Sequence, residues 1–140
     1  MECNASKYNP SDEGIKDILN KYKVIAIVGL STDPSKASYR VAEYMKNHGY
    51  KIIPVNPTAE EILGEKCYPD LKSIPGKVDI VDIFRKIDAI PGIVNDSIDI
   101  GAKVVWMQLE LCCEASAKKA QENGLSVVMN KCIKIEHSMM

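Results

Sequence analysis

Residues Val24 to Pro57 read VIAIVGLSTDPSKASYRVAEYMKNHGYKIIPVNP, and the order of residue types in this stretch sets the fold. VIAIV is an unbroken apolar run rich in β-branched residues, as a strand covered on both faces requires. Gly29 turns the chain, and Pro34 suits the first turn of a helix. Val41, Tyr44, Met45 and His48 then fall at i, i+3, i+4 and i+7, the inner face of a helix that ends at Gly49. Lys51 to Val55 begins a second strand. Strand, glycine turn, helix and strand in that order open a nucleotide-binding α/β domain, in which the turn and the helix start hold a diphosphate. After Gly29, however, the chain continues Leu30, Ser31, Thr32, Asp33, Pro34, so the second and third glycines of G-x-G-x-x-G are missing. A nucleotide site is expected here, but not the ordinary NAD one.

Working outward, the start of the second strand is echoed twice. Gly49-Tyr50-Lys51-Ile52-Ile53, Gly101-Ala102-Lys103-Val104-Val105 and Gly124-Leu125-Ser126-Val127-Val128 each join the end of an amphipathic segment to a β-branched run. Ile90, Val94, Ser97 and Ile98 make a helical face before Gly101, with Asp88 as cap and Pro91 in the first turn; Cys113, Ser116, Ala117 and Ala120 make one before Gly124. An extra N-terminal helix, capped by Ser11, carries Ile15, Ile18, Leu19 and Tyr22. The strands are read as Val24–Val28, Lys51–Val55, Asp79–Ile83, Lys103–Met107 and Ser126–Met129. Alternating strands and helices predict a single α/β domain, a doubly wound five-stranded parallel sheet spanning residues 1–140 with a loose lead-in over residues 1–10. The most economical order of its strands is 3-2-1-4-5. Between the second and third strands, a short helix is expected at Glu60–Leu63, followed by loop.

At 140 residues the chain is long enough to bury a core unaided. A formal net charge of −1 with scattered basic residues points away from nucleic acid and anionic membranes, and no apolar run is long enough for a span. No signal peptide is visible at the N-terminus, so a cytoplasmic location is expected. Five cysteines, Cys3, Cys67, Cys112, Cys113 and Cys132, lack C-x-x-C spacing and are read as reduced thiols, with no metal site.

Ligands of such sheets bind beyond the carboxyl ends of the strands where the order reverses, here expected between strands one and four. The first loop offers Gly29, Leu30 and Ser31, with Lys36, Ser38, Tyr39 and Arg40 at the helix start. Ser31 or Asp33 can equally be a plain helix cap. The second strand ends in Val55, Asn56 and Pro57, without the acidic residue that takes the ribose hydroxyls of NAD; an Asn-Pro turn is the plainer reading. Phe84, the only phenylalanine, stands beside Arg85 at the end of the third strand, suited either to cover an adenine or a pantetheine arm while the guanidinium meets phosphate, or equally to be a core aromatic beside a solvated Arg. Gln108 and Leu109 end the fourth strand.

These blocks, together with GEKCYPDL, VDIVDIFR, GAKVVWMQL and the tail NKCIKIEH, resemble the small prokaryotic CoA-binding proteins, relatives of the N-terminal domain of the succinyl-CoA synthetase α chain. The likeness runs from about Asp17 to His137. It implies a stand-alone Rossmann-like domain that binds coenzyme A or acyl-CoA, with no assigned reaction. The family's glycine-serine loop falls on Gly29 to Ser31, its Ser-Tyr-Arg on Ser38 to Arg40, V-N-P on Val55 to Pro57, F-R on Phe84 and Arg85, and W-x-Q-L on Trp106, Gln108 and Leu109. Leu30 stands where the family more often has Ala, and a larger side chain there is expected to narrow the loop.

No catalytic constellation stands out. Cys132 and His137 form a thiol–imidazole spacing, but on an expected short tail with nothing to orient the ring. Asp79 and Asp82 flank the third strand without a metal motif. The expected function is a CoA-binding protein whose partner is a small nucleotide ligand. A homodimer is conceivable through the first helix. The alternatives are an NAD(P)-binding enzyme or redox sensor, and an interaction domain with a vestigial pocket.

Overall fold

The structure, a computed structural model, describes residues 3–140. Helix α1 (Asp12–Lys21) begins at Ser11, whose hydroxyl accepts from the Gly14 amide as its sequence predicts. Next come β1 (Val24–Val28), α2 (Ala37–Asn47), β2 (Lys51–Val55), the short strands β3 (Glu61–Ile62) and β4 (Glu65–Lys66), and β5 (Ile80–Ile83). The chain ends with α3 (Ile90–Asp99), β6 (Val104–Met107), α4 (Glu114–Glu122), β7 (Ser126–Val128) and α5 (Ile133–Ser138). Five strands form one parallel sheet, giving the doubly wound, Rossmann-like class expected from the sequence. Among the described residues, no helix is long and apolar enough to cross a membrane.

The strand order is β2-β1-β5-β6-β7, which corrects the expected one: the third long strand lies beside the first, not outside the second. The outer margin of β2 is taken instead by the chain around Tyr68. The Tyr68 amide donates to Pro54 O at 3.0 Å, and its carbonyl accepts from the Asn56 amide at 2.9 Å. Pro54 has no N–H to give a further neighbour, and prolines in sheets belong on edge strands. The order therefore reverses between β1 and β5.

Other expectations are corrected too. No helix forms over Glu60–Leu63. Leu63 and Gly64, with φ of 55° and 75°, instead make a two-residue turn joining β3 to β4, a geometry suited to tight hairpins. Helix α2 begins at Ala37, so Pro34 lies in the preceding turn. Asp88 does not cap α3 but sits in a 3-10 turn, Ile87–Ala89, ahead of it. Cys3 and Cys112 are joined as a disulfide, whereas all five cysteines were expected reduced; Cys67, Cys113 and Cys132 are free. Within residues 3–10, Asn9 bonds Met129 through both atoms of its side-chain amide, and the Tyr8 carbonyl accepts from Gln121. Residues 1 and 2 of the expected loose lead-in lie outside the described residues.

Successive strand residues feed two cores. Ile25, Ile27, Ile52, Ile80, Val104 and Trp106 face α1, α2 and α5; Ala26, Val28, Ile53, Val81, Ile83, Val105 and Met107 face α3 and α4. Both faces are covered, which is why the strands read as apolar runs and not as alternations. The strands' amino ends are fixed by Asp79, whose carboxylate accepts from the Lys23 and Val24 amides at 3.3 and 3.2 Å. Asp79 thus lies at the opposite end of the sheet from the loops that follow the strands.

Candidate functional site

At the reversal, the loops after β1 and β5 press together. The Phe84 amide donates to Val28 O at 2.8 Å, continuing the ladder past the strand ends. Gly29 has φ of 88°, and a side-chain carbon on it would collide with the Phe84 carbonyl oxygen and lie 2.8 Å from Cδ of Arg85. The glycine is thus required by the neighbouring loop, whose Arg85 stem crosses over it. The sequence reading had reserved that space for a ligand.

A cavity of about 520 Å³ opens beside this crossing, lined by Ala37 and Val41 of α2, Phe84, Arg85 and Lys86 after β5, Gln108, Leu109 and Leu111 after β6, and Cys132 ahead of α5. That volume lies within the range of small-molecule sites, and the position at the switch point is where α/β sheets hold ligands. One wall is the start of α2. No side chain caps this helix, and its first helical bond is Arg40 N to Lys36 O at 3.2 Å, which leaves the amides of Ala37, Ser38 and Tyr39 without intrahelical acceptors. Deeper in, Gln108 is 5% exposed. Its Oε1 accepts from the Ile133 amide at 3.1 Å, which fixes the orientation of the amide group, and among the described residues nothing accepts from its Nε2. The residue is buried while its Nε2 is turned to the cavity, so this donor is available to whatever occupies it.

A second cavity, about 180 Å³, lies on the other side of Arg85, lined by Val28, Val55, Pro57, Pro69, Asp70 and Leu71 with the start of α3. Arg85 borders both. The structure thus brings together Phe84, Arg85 and Gln108 around the larger space, and Val55, Pro57 and Arg85 around the smaller.

The remaining candidates are placed differently. Leu30 is fully buried in the core, so it does not narrow the loop. Ser38 is buried and accepts from the Ser31 amide at 3.0 Å, while the Ser31 hydroxyl accepts from Asp33 N. Asn56 is a loop clasp: its Nδ2 donates to Leu30 O at 2.9 Å, and its Oδ1 accepts from Thr58 and Ala59. That is the plainer Asn-Pro reading. Tyr39 is half-buried against the core, Lys36 is exposed, and Arg40 donates to Ser35 O at 2.9 Å. Asp33, ahead of α2, has its carboxyl held below the usual range chiefly by the Ser35 amide and hydroxyl. Among these candidates, the cationic group facing the cavities is Arg85, joined at the larger one by Lys86.

Sequence reasoning missed Ala37, Leu111 and Cys132 as lining residues, and read Val41 only as core. Cys132 follows the fifth sheet strand, so the rule that directs attention to carboxyl ends of strands applied to it as well. Its pairing with His137 does not form. His137 is oriented after all, but by α2: its Nδ1 lies 2.9 Å from the Tyr44 hydroxyl, and its ring meets Tyr50 and His48 edge-on. Burial, then the nearby His48 and Lys23, hold its pKa below the ordinary value. His48 itself is exposed at the end of α2, not on its inner face.

Within β5 lies Asp82, paired across the sheet with Ile27 and Trp106. It is fully buried, neither carboxyl oxygen has a partner, and burial drives its pKa well above the ordinary value. Burial without a partner thus disfavours its charged form.

The cavity offers backbone amides and cations at one side and an amide donor deeper in, and comparison with known proteins gives the chain its family. The family described as "CoA binding domain" matches residues 23–138. This chain belongs to the CoA-binding domain family. Within it, the chain is 43% identical over 131 residues to the uncharacterized protein YneT of Bacillus subtilis, covering 94% of this chain and 97% of that one. A solved hypothetical protein from Pyrococcus horikoshii superposes with a TM-score of 0.92 at 42% identity, covering 99% of this chain and 98% of that chain. The α subunit of an ADP-forming acetate–CoA ligase from Pyrococcus furiosus is 45% identical over 60 residues, which are 42% of this chain and only 13% of the subunit. The chain thus matches proteins of its own size over nearly their whole length and a much longer ligase subunit over a small part of it.

Proposed function

We propose that this chain binds coenzyme A or an acyl-CoA. The diphosphate lies between the free amides at the start of α2 and the Arg85 guanidinium, and the pantetheine arm runs past Phe84 toward Gln108. The observation that carries this reading is one cavity with an amide-bearing helix start and two cations at one side and an unpartnered amide donor, Gln108 Nε2, deeper in. Such a cavity suits a ligand with anionic oxygens at one end and amide carbonyls along an otherwise apolar arm. Membership of the CoA-binding domain family supports the choice of ligand. The neutral and fully engaged Asn56 weighs against NAD, which needs an acid at that strand end. No reaction is assigned: because the chain spans about an eighth of the ligase subunit it resembles, that enzyme's activity does not transfer to it.

Titration calorimetry with CoA, acetyl-CoA and NAD tests the reading. CoA or its thioester should bind at least about ten-fold more tightly than NAD, a difference of about 1.4 kcal/mol. NAD binding as tight as CoA binding refutes it.

A further inference from the structure

The proposed pantetheine path ends among residues that the CoA reading itself does not use. Leu111 and Cys132 close the cavity beyond Gln108, and Cys132 sits directly before Ile133, whose amide holds Gln108 Oε1. Cys132 is only 8% exposed, so a reagent in bulk water meets little of it, whereas a molecule seated in the cavity lies against it. The other free thiols are placed otherwise. Cys67 is packed in the core, lines none of the cavities described above, and has its thiol pKa pushed up by burial; Cys113 lies 3.3 Å from the Ser116 hydroxyl. The independent sign of a ligand at this depth is Gln108, nearly buried with a free donor in the same cavity.

Resting on the CoA reading above, we propose that Cys132 is a thiol-exchange site that captures disulfide-bonded coenzyme A as a protein–CoA mixed disulfide. In that step the Cys132 thiolate attacks one sulfur of the CoA disulfide. A bond forms between Cys132 Sγ and that sulfur, the original S–S bond breaks, and the second CoA leaves as a thiolate that takes up the proton Cys132 gave to solvent. Cys132 is oxidised and the departing CoA is reduced, so no further oxidant is needed. The cavity supplies selectivity by positioning the attacked bond, and a thiol donor without the nucleotide handle gains nothing from it.

The full chain is incubated with CoA disulfide, and in parallel with glutathione disulfide, then followed by intact mass and by peptide mapping without reductant. The expected product is one CoA per chain on Cys132. It should form at least about ten-fold faster than the glutathione adduct, because prior capture raises the local concentration of the reacting bond. It should be reversed by dithiothreitol, lost in Cys132→Ser and kept in Cys113→Ser. Equal rates with the two disulfides overturn the proposal, as does an adduct on Cys3, Cys67, Cys112 or Cys113 in place of Cys132. If reduced CoA binds in the calorimeter while CoA disulfide leaves Cys132 unmodified, the exchange role fails alone. If CoA does not bind in either form, the reading of the site fails with it.

Discussion

Replacing Gly29 with alanine separates two reasons for a glycine that usually travel together. Gly29 and Gly49 have nearly the same left-handed backbone, φ of 88° and 90°. An added carbon at Gly49 meets nothing within 4 Å, whereas at Gly29 it runs into the Phe84 carbonyl and the stem of Arg85. Gly49→Ala therefore carries the dihedral cost alone, about 1–2 kcal/mol for an L-residue in that conformation. Gly29→Ala carries that cost plus displacement of a neighbouring main chain, a further 1–3 kcal/mol or so on the scale of overpacking. Urea unfolding followed by the fluorescence of Trp106, the single and fully buried tryptophan, reads both variants on one scale. The expected result is a gap of about 1–3 kcal/mol between the two, with CoA affinity lowered only in Gly29→Ala because the moved loop carries Phe84 and Arg85. Equal destabilisation of the two variants refutes the argument, since it would mean that the β1 and β5 loops do not press together as described.

Two further outcomes test the charge balance of the core and of the C-terminal helix. Asp82→Val removes a buried, unpartnered acid from between Ile27 and Trp106 and should raise stability by about 1–3 kcal/mol. Because the folded-state pKa is raised, Asp82 costs more as pH climbs from the ordinary carboxyl range toward that raised value, so the gain should be larger at about pH 8 than at about pH 5; a gain that does not change with pH contradicts the raised pKa. His137 has the opposite pattern. Its folded pKa lies below the ordinary 6.5, so the unfolded chain takes up the proton first. Stability should fall as pH drops through 6.5 and level off below the folded value, and His137→Gln should flatten that part of the urea-midpoint profile.

Much of this was legible in the sequence. The five sheet strands and four of the five α-helices follow from runs and spacings that local chemistry dictates, and both β1 and β2 have the bounds expected from the sequence. Strand order was misread because economy of crossovers was weighed and Pro54 was not; a proline in mid-strand argues for an edge, and an edge β2 puts β5 beside β1. The Leu63-Gly64 turn carried its own signal in the glycine. In the site, Phe84, Arg85 and Gln108 were found because strand ends are the place to look. Leu30 and Asn56 were named from their place in the loop, but a loop position does not reveal whether a side chain turns inward to the core or clasps a neighbouring carbonyl. Cys132 was passed over because α5 is a single short helix with little periodicity, so the segment read as a tail, and a tail does not suggest a cavity wall.

The Tyr68 segment along Pro54 has a counterpart at the opposite side of the sheet, where the Asn9 side chain imitates a peptide unit against Met129 just past β7. The margin of β2 is thus occupied at Pro54 and Asn56, Met129 is held just past β7, and β7 is only three residues long. Copies of this protein have little means of joining sheet to sheet, so crowding and concentration should favour neither fibrous growth nor dimers built by strand continuation.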